Sequence, residues 1–189
     1  MSLAIAAVPD ELGQRARPVV HRLRQGIRAL RNQPDSALDA RLRSLVGNDE
    51  LWALLARLTP FDRRHHLAVH DTLLAAGCDD TDVLRAALLH DVGKADSRQR
   101  VGLVHRVVMV LFQGRTSGLL NRIARQDAGW LRHGLWLNLH HAALGADLAA
   151  LSGASARVCD LIRLHADGDA AAQDAGLRAL QMADSEALL

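Results

Sequence analysis

Apolar residues recur along most of this chain three and four positions apart, and no stretch alternates apolar with polar residues for the length of a useful strand. Residues 10–32 read as a first helix, 35–46 as a second opened by Pro34, and 49–58 as a short third. Thr59-Pro60 marks a boundary. Beyond it, a helix over 61–76 closes at Gly77, and one opened by Asp79-Asp80-Thr81-Asp82 runs to His90-Asp91 and stops at Gly93. The run VVMVLF at 107–112 reads as core because helical sequence flanks it. His140-His141 open a helix to about Leu151, His165 ends the next, and Asp184 lies on the last. All four prolines, Pro9, Pro18, Pro34 and Pro60, fall in the first third; the remainder is rich in Ala, Leu and Arg, a helix composition. The pattern predicts an all-α protein. Residues 1–58 are expected to form a helical extension packed on a bundle of residues 59–189.

Six polar residues interrupt the apolar faces of these helices. His90 lies in line with Val83, Ala86 and Ala87, and Asp91 with Leu84, Ala87 and Leu88. His65 shares a stripe with Val69, Thr72, Leu73 and Ala76, whereas His70 falls towards another side. His141 stands above Leu144, Gly145 and Leu148; His165 is in line with Val158, Leu161 and Ile162; Asp184 accompanies Leu177, Leu180, Ala187 and Leu188. A lone inward histidine is ordinarily a satisfied core residue, and a His-Asp pair at a helix end ordinarily bonds to itself. A buried carboxylate, however, is costly unless a cation or several donors face it. Several helices each aiming a His or Asp at the core are more economically explained by a shared cation.

The stretch at 86–94, AALLHDVGK, resembles the signature of the HD superfamily of metal-dependent phosphohydrolases, which carry an upstream His, this His-Asp doublet and a downstream Asp. Arg64-His65-His66-Leu67-Ala68-Val69 is similar to the upstream pattern of His, three residues, Val, which places that ligand on His65 with His66 as the fallback. The final Asp corresponds to Asp184 in Leu180-Gln181-Met182-Ala183-Asp184. The resemblance covers residues 61–189 and implies an HD-domain helical bundle with a metal held by His65, His90, Asp91 and Asp184. His141-Ala142-Ala143-Leu144-Gly145-Ala146-Asp147 is also similar to the "His, three residues, Gly-Ala-acid" segment of a two-metal subset, with His165 as its later histidine. That subset includes symmetrical diadenosine tetraphosphate hydrolases and HD-GYP cyclic dinucleotide phosphodiesterases. The chain departs from the latter, having no Gly-Tyr-Pro and no tyrosine, and from stringent-response nucleotide hydrolases, because no Glu precedes Asp96.

What the resemblance implies is hydrolysis of a phosphate ester or anhydride in a nucleotide or other small phosphorylated metabolite. Asp91 would bridge the ions if there are two, and Lys94 would meet a phosphate oxygen. One or two divalent ions are expected; imidazole and carboxylate ligands without thiolate suit Mn, Fe, Ni, Co or Zn, with Mg admissible. Two other classes share this ligand set: a catalytically silent HD module that senses a nucleotide, and an HD-fold di-iron oxygenase.

Charge sharpens the picture in two places. The chain has 23 basic residues and a net charge of +2, yet Lys94 is its only lysine. A lone lysine inside HDVGK fits a position that needs a compact point charge rather than a planar guanidinium. Between Ser97 and Ala146 there are seven arginines, Arg98, Arg100, Arg106, Arg115, Arg122, Arg125 and Arg132, against Asp127 alone. They read either as a solvated face or as a wall drawing a phosphorylated substrate towards the metal. Arg15, Arg17, Arg22, Arg24, Arg28 and Arg31 line the first helix with no aromatics interleaved, which disfavours nucleic acid as a partner. At 189 residues the chain can bury its own core without disulfides, and Cys78 and Cys159 have no metal-type spacing. The start has no basic leader, and no run approaches the roughly twenty apolar residues of a membrane span. These features predict a cytoplasmic protein without a membrane partner.

Overall fold

A computed structural model of the chain describes residues 35–112 and 117–187; the helix expected over 10–32, Arg115 and Leu188 lie outside the described residues. The described residues form an all-α fold of nine helices with no strand. They are α1 (Ser36–Val46), α2 (Asp49–Ala56), α3 (Pro60–Ala75), α4 (Thr81–Leu89), α5 (Leu103–Leu111), α6 (Ser117–Ile123), α7 (Trp130–Leu151), α8 (Ala156–Leu164) and α9 (Ala175–Ala187). Short 3-10 turns occupy Val92–Lys94 and Ala170–Ala172. Helix starts follow local chemistry. The side chains of Asp35, Asn48, Thr59, Asp80 and Ser155 each accept from backbone N–H groups of the first turn of α1, α2, α3, α4 and α8, and Pro60 occupies the first position of α3.

At the centre, α3 packs on α4 and α9, α4 on α8, and α7 on α8 and on the Val92–Lys94 turn. Leu73, Leu88, Leu89, Leu161, Ile162 and Leu177 are fully buried there. Leu42, Val46, Leu51, Leu55 and Leu58 from α1, α2 and the residues after them join the same apolar cluster. Each such side chain contributes about 1.5–3 kcal/mol of transfer free energy. Cys159 is buried and Cys78 half-buried, both free, as small core residues. No described helix is long and apolar enough to cross a membrane.

Three expectations are corrected. The helix expected to open at His140-His141 begins ten residues earlier, at Trp130, so both histidines lie inside α7. No proline breaks this stretch, and Gly134 and Gly145 admit neighbours: a side chain at Gly134 would strike the His105 ring, and one at Gly145 would lie 3.1 Å from the Gly93 nitrogen. The 107–112 run is helical but is not core. Within α5 only His105 is buried, while Val104, Val107 and Leu111 are exposed. Gly93 does not terminate a helix by a left-handed cap. α4 ends at Leu89 with His90 as its C-cap, and Gly93 sits in the following turn because a Cβ there would drive into the His141 carbonyl and lie 2.6 Å from the Gly145 nitrogen. Glycine thus lets the HDVGK turn lie directly on the backbone of α7.

Candidate metal centre

The close approach at Gly93 brings the residue pair at the end of α4 to the middle of α7. Asp91 is 4% exposed and His90 1%, and the ends and faces of α3, α7, α8 and α9 converge on them. Two groups of potential ligands result, His65 with His90 and Asp91, and Asp91 with His141 and His165. Asp91 belongs to both. Its Oδ1 lies 3.2 Å from His141 Nε2 and 3.6 Å from His165 Nε2, and its Oδ2 lies 3.5 Å from His90 Nε2 and pairs with Lys94 Nζ.

Three of the histidines are oriented by the same local device. His90 Nδ1 faces the Ala87 carbonyl at 2.9 Å, His141 Nδ1 faces Asn138 O at 2.8 Å, and His165 Nδ1 faces Ile162 O at 2.7 Å. A carbonyl only accepts, so Nδ1–H is the donor and in the neutral ring Nε2 carries a lone pair. Each acceptor lies three residues upstream, at the C-terminal ends of α4 and α8 for His90 and His165 and within α7 for His141, and a histidine tied this way presents Nε2 in one direction. His141 and His165 Nε2 atoms then stand 3.2 Å apart. Two lone pairs, or a lone pair and a carboxylate oxygen, repel at such distances unless a proton or cation lies between. His90 Nε2 has no hydrogen-bond partner although it is fully enclosed, standing 3.5 Å from both Asp91 Oδ2 and Asp184 Oδ1. Two ligands each about 2.1 Å from one ion, at angles of about 90–110°, are separated by about 3.0–3.4 Å. The 3.2 Å separations of His141 Nε2 from His165 Nε2 and from Asp91 Oδ1 fall in that range, and those involving His90 Nε2 and the His165–Asp91 pair, at 3.5–3.6 Å, are slightly wider.

Asp184, on α9, approaches the first group from the opposite side. Its Oδ1 accepts from His65 Nε2 at 2.8 Å, and His65 Nδ1 is buried without a partner. Asp184 is partly open to solvent, and its oxygen meets two histidines of the first group. Electrostatics agree with a cation-binding role. Burial alone would raise the Asp91 carboxyl, but the Lys94 charge, then His90, and the adjoining His141 and His165 rings hold it well below the usual carboxylate range. Asp184 is likewise pushed up by burial and pulled further down by His65 and His90, with a net lowering. Burial lowers His141 against the opposing pull of Asp91, which favours the neutral, ligating ring.

Five of the candidate ligands, His65, His90, Asp91, His141 and His165, fall into two groups that share Asp91, and Asp184 lies against His65 and His90 outside both groups. His66 belongs to neither ligand group. It is completely buried, its Nδ1 donates to Leu88 O at 2.7 Å, and burial followed by His90 lowers its pKa to about 3. Its Nδ1 satisfies a carbonyl at the end of α4, and its Nε2 is buried without a partner. Asp147, from the "Gly-Ala-acid" segment, turns away and pairs with Arg163 at the surface, 2.6 Å apart.

One residue that the pattern did not single out borders the site. Asp62, 2% exposed, sits on α3 one turn before His65, accepts from Thr59 Oγ1 at 2.7 Å and is ion-paired with Arg106. Its sequence signal was ambiguous, since an acid in the first turn of a helix is ordinary capping chemistry. No protein-family model, curated protein or solved structure matches the chain. The site is therefore read from its own geometry: an all-α protein with buried His/Asp groups able to hold a metal ion.

Proposed function

We propose that this protein is a metal-dependent phosphohydrolase of the HD type, acting on a nucleotide or another small phosphorylated metabolite. The observation that carries the reading is the placement of Asp91, with one oxygen towards His141 and His165 and the other towards His90, in a chain whose His-Asp doublet reads HDVGK. His65, His90, Asp91 and Asp184 would hold one divalent ion, and Asp91, His141 and His165 a second. A bound ion supplies Lewis-acid polarisation of a phosphoryl oxygen and acidification of water. Mn, Fe, Ni, Co or Zn suit the all-N,O ligand set.

The remaining work falls to the chain's own residues. The carbonyls of Ala87, Asn138 and Ile162 fix the three imidazoles so that no reorientation is needed on loading. Lys94, partly exposed beside Asp91, provides a positive charge that can turn to a phosphate oxygen once Asp91 is engaged by metal. The site's chemistry is tested by metal analysis of the purified protein, followed by hydrolysis of bis(4-nitrophenyl) phosphate and a nucleotide panel with added manganese. The expected result is bound transition metal and manganese-dependent phosphate release that is lost in His90→Ala and Asp91→Ala. Metal binding with no turnover of any phosphate substrate would favour a nucleotide-sensing module, and activity near wild type in either variant would remove the site altogether.

A further inference from the structure

Arg106 differs from the other described arginines of the basic stretch. Arg98 leans on Gln126 O and, at 3.9 Å, on Asp127, and Arg132 Nε donates to Ile123 O, all at the surface. Arg100, Arg122 and Arg125 are exposed. Arg106 instead reaches from α5 to α3, where one Nη pairs with the buried Asp62 and the guanidinium lies over the Phe61 ring, 5.6 Å from its centroid. Asp62 precedes His65 and His66 by three and four residues and so shares their face of α3.

Packing gives a poor account of this ion pair. α5 buries only His105, and the Arg106 side chain keeps 28% of its exposure. Burial would raise the Asp62 carboxyl, but Arg106 and then Lys94 hold it down. Lys94 is also the partner of Asp91. Asp62 stands one turn of α3 from the candidate ligand His65 and holds Arg106, whose planar fork is suited to a phosphate. One turn is about 5 Å along the helix axis, so the guanidinium paired with Asp62 is offset from the ligand cluster by about the span of a further phosphoryl group.

We propose that Arg106 is a second phosphate-binding cation of this site, with Asp62 as its resting partner, and that the ligand carries two linked phosphoryl groups rather than one. This rests on the phosphohydrolase reading and narrows it to phosphoanhydrides. On binding, the outer phosphoryl group takes the guanidinium from Asp62; no covalent bond changes. Phe61 keeps the guanidinium plane in place during the exchange.

The test is titration calorimetry of metal-loaded protein, freed of unbound metal and checked for metal retention, with methylenediphosphonate and with orthophosphate. Arg106→Gln should weaken methylenediphosphonate binding about tenfold, the loss of one charge-assisted contact, and change orthophosphate binding less than about twofold. Arg106→Lys should recover part of the loss. Asp62→Asn should tighten methylenediphosphonate binding, because it releases Arg106. Opposite signs for the two positions support the proposal. Equal weakening by Arg106→Gln and Asp62→Asn, or no change in either, overturns it and leaves the pair as a tether for α5. If Asp62→Asn fails to fold, the Gln and Lys variants with the two ligands still decide. The two readings fail separately: the calorimetric pattern without turnover of any phosphate substrate removes the hydrolase reading alone, and turnover with no Arg106 effect on diphosphonate removes this one alone.

Discussion

Adjacent residues on α3 show how much a single rotation about a helix decides. His65 turns to Asp184 and to the ligand cluster, while His66, 100° further round, seals the end of α4 through Leu88 O. His65→Ala should therefore lose bound metal with a modest change in stability. His66→Ala should keep its metal but lose about 2–3 kcal/mol on denaturant unfolding, because it opens a cavity and strands a buried carbonyl. Equal metal loss in both would place the ligand on the wrong residue. Lys94 makes a sharper case. Its ammonium and a metal ion are rivals for Asp91 Oδ2, so Lys94→Ala should bind manganese at least as tightly as wild type while hydrolysing more slowly. Weaker metal binding in that variant would mark the lysine as a structural support.

Elements meet at this site through backbone rather than side-chain contact at one point, where the turn after α4 lies on α7. Gly93→Ala would push its methyl into the His141 carbonyl; as His141 also supplies Nε2 to the second ligand group, two effects should appear together. Stability should fall by about 3 kcal/mol or more from overpacking against backbone that cannot yield, and the metal-to-protein ratio should drop. A stable Gly93→Ala protein with full metal content would contradict this packing. The start of α9 carries a separate electrostatic support. Asp174 accepts from Leu177 N at 3.0 Å and pairs with Arg157, and Arg157 first, then the Leu177 amide, lowers its carboxyl. An unfolded aspartate titrates near pH 4, so this support is whole above about pH 4 and fades as pH falls towards the lower folded value. Asp174→Asn, which keeps the cap acceptor but loses the ion pair with Arg157, should cost up to about 1 kcal/mol at neutral pH, and the difference from wild type should shrink in urea melts run below pH 4. A gap that stays constant into acid would assign the effect to packing.

At the scale of the molecule, the two His/Asp groups draw on α3, the end of α4, α7 and the end of α8, with Asp184 of α9 set against two of their histidines, and these same helices enclose the core. A cation that binds only the folded arrangement stabilises all of them at once. Manganese at a hundred times its dissociation constant should add about 2.7 kcal/mol, read as a rise in Tm that EDTA reverses. His90→Ala and Asp91→Ala should abolish the rise. An unchanged Tm in wild type would mean that the cluster is held by protons alone.

The amino-acid sequence by itself determined the helical class and pointed to the His and Asp residues that the fold groups around Asp91, because helix periodicity is local and a His or Asp on an apolar stripe is visible within one turn of its own chain. The capping run Asp79-Asp80-Thr81-Asp82 marked the start of α4 for the same reason. Tertiary structure decided what depends on two distant segments at once. Whether Gly93 ends a helix or admits α7 depends on backbone fifty residues away. The apolar 107–112 run looked like core because composition carries no information on which elements remain to cover it, and in the folded chain Val107 and Leu111 stay exposed. Of seven similar arginines, only the fold selects Arg106 for Asp62, since a charge pair across forty-four residues leaves no periodic trace in sequence.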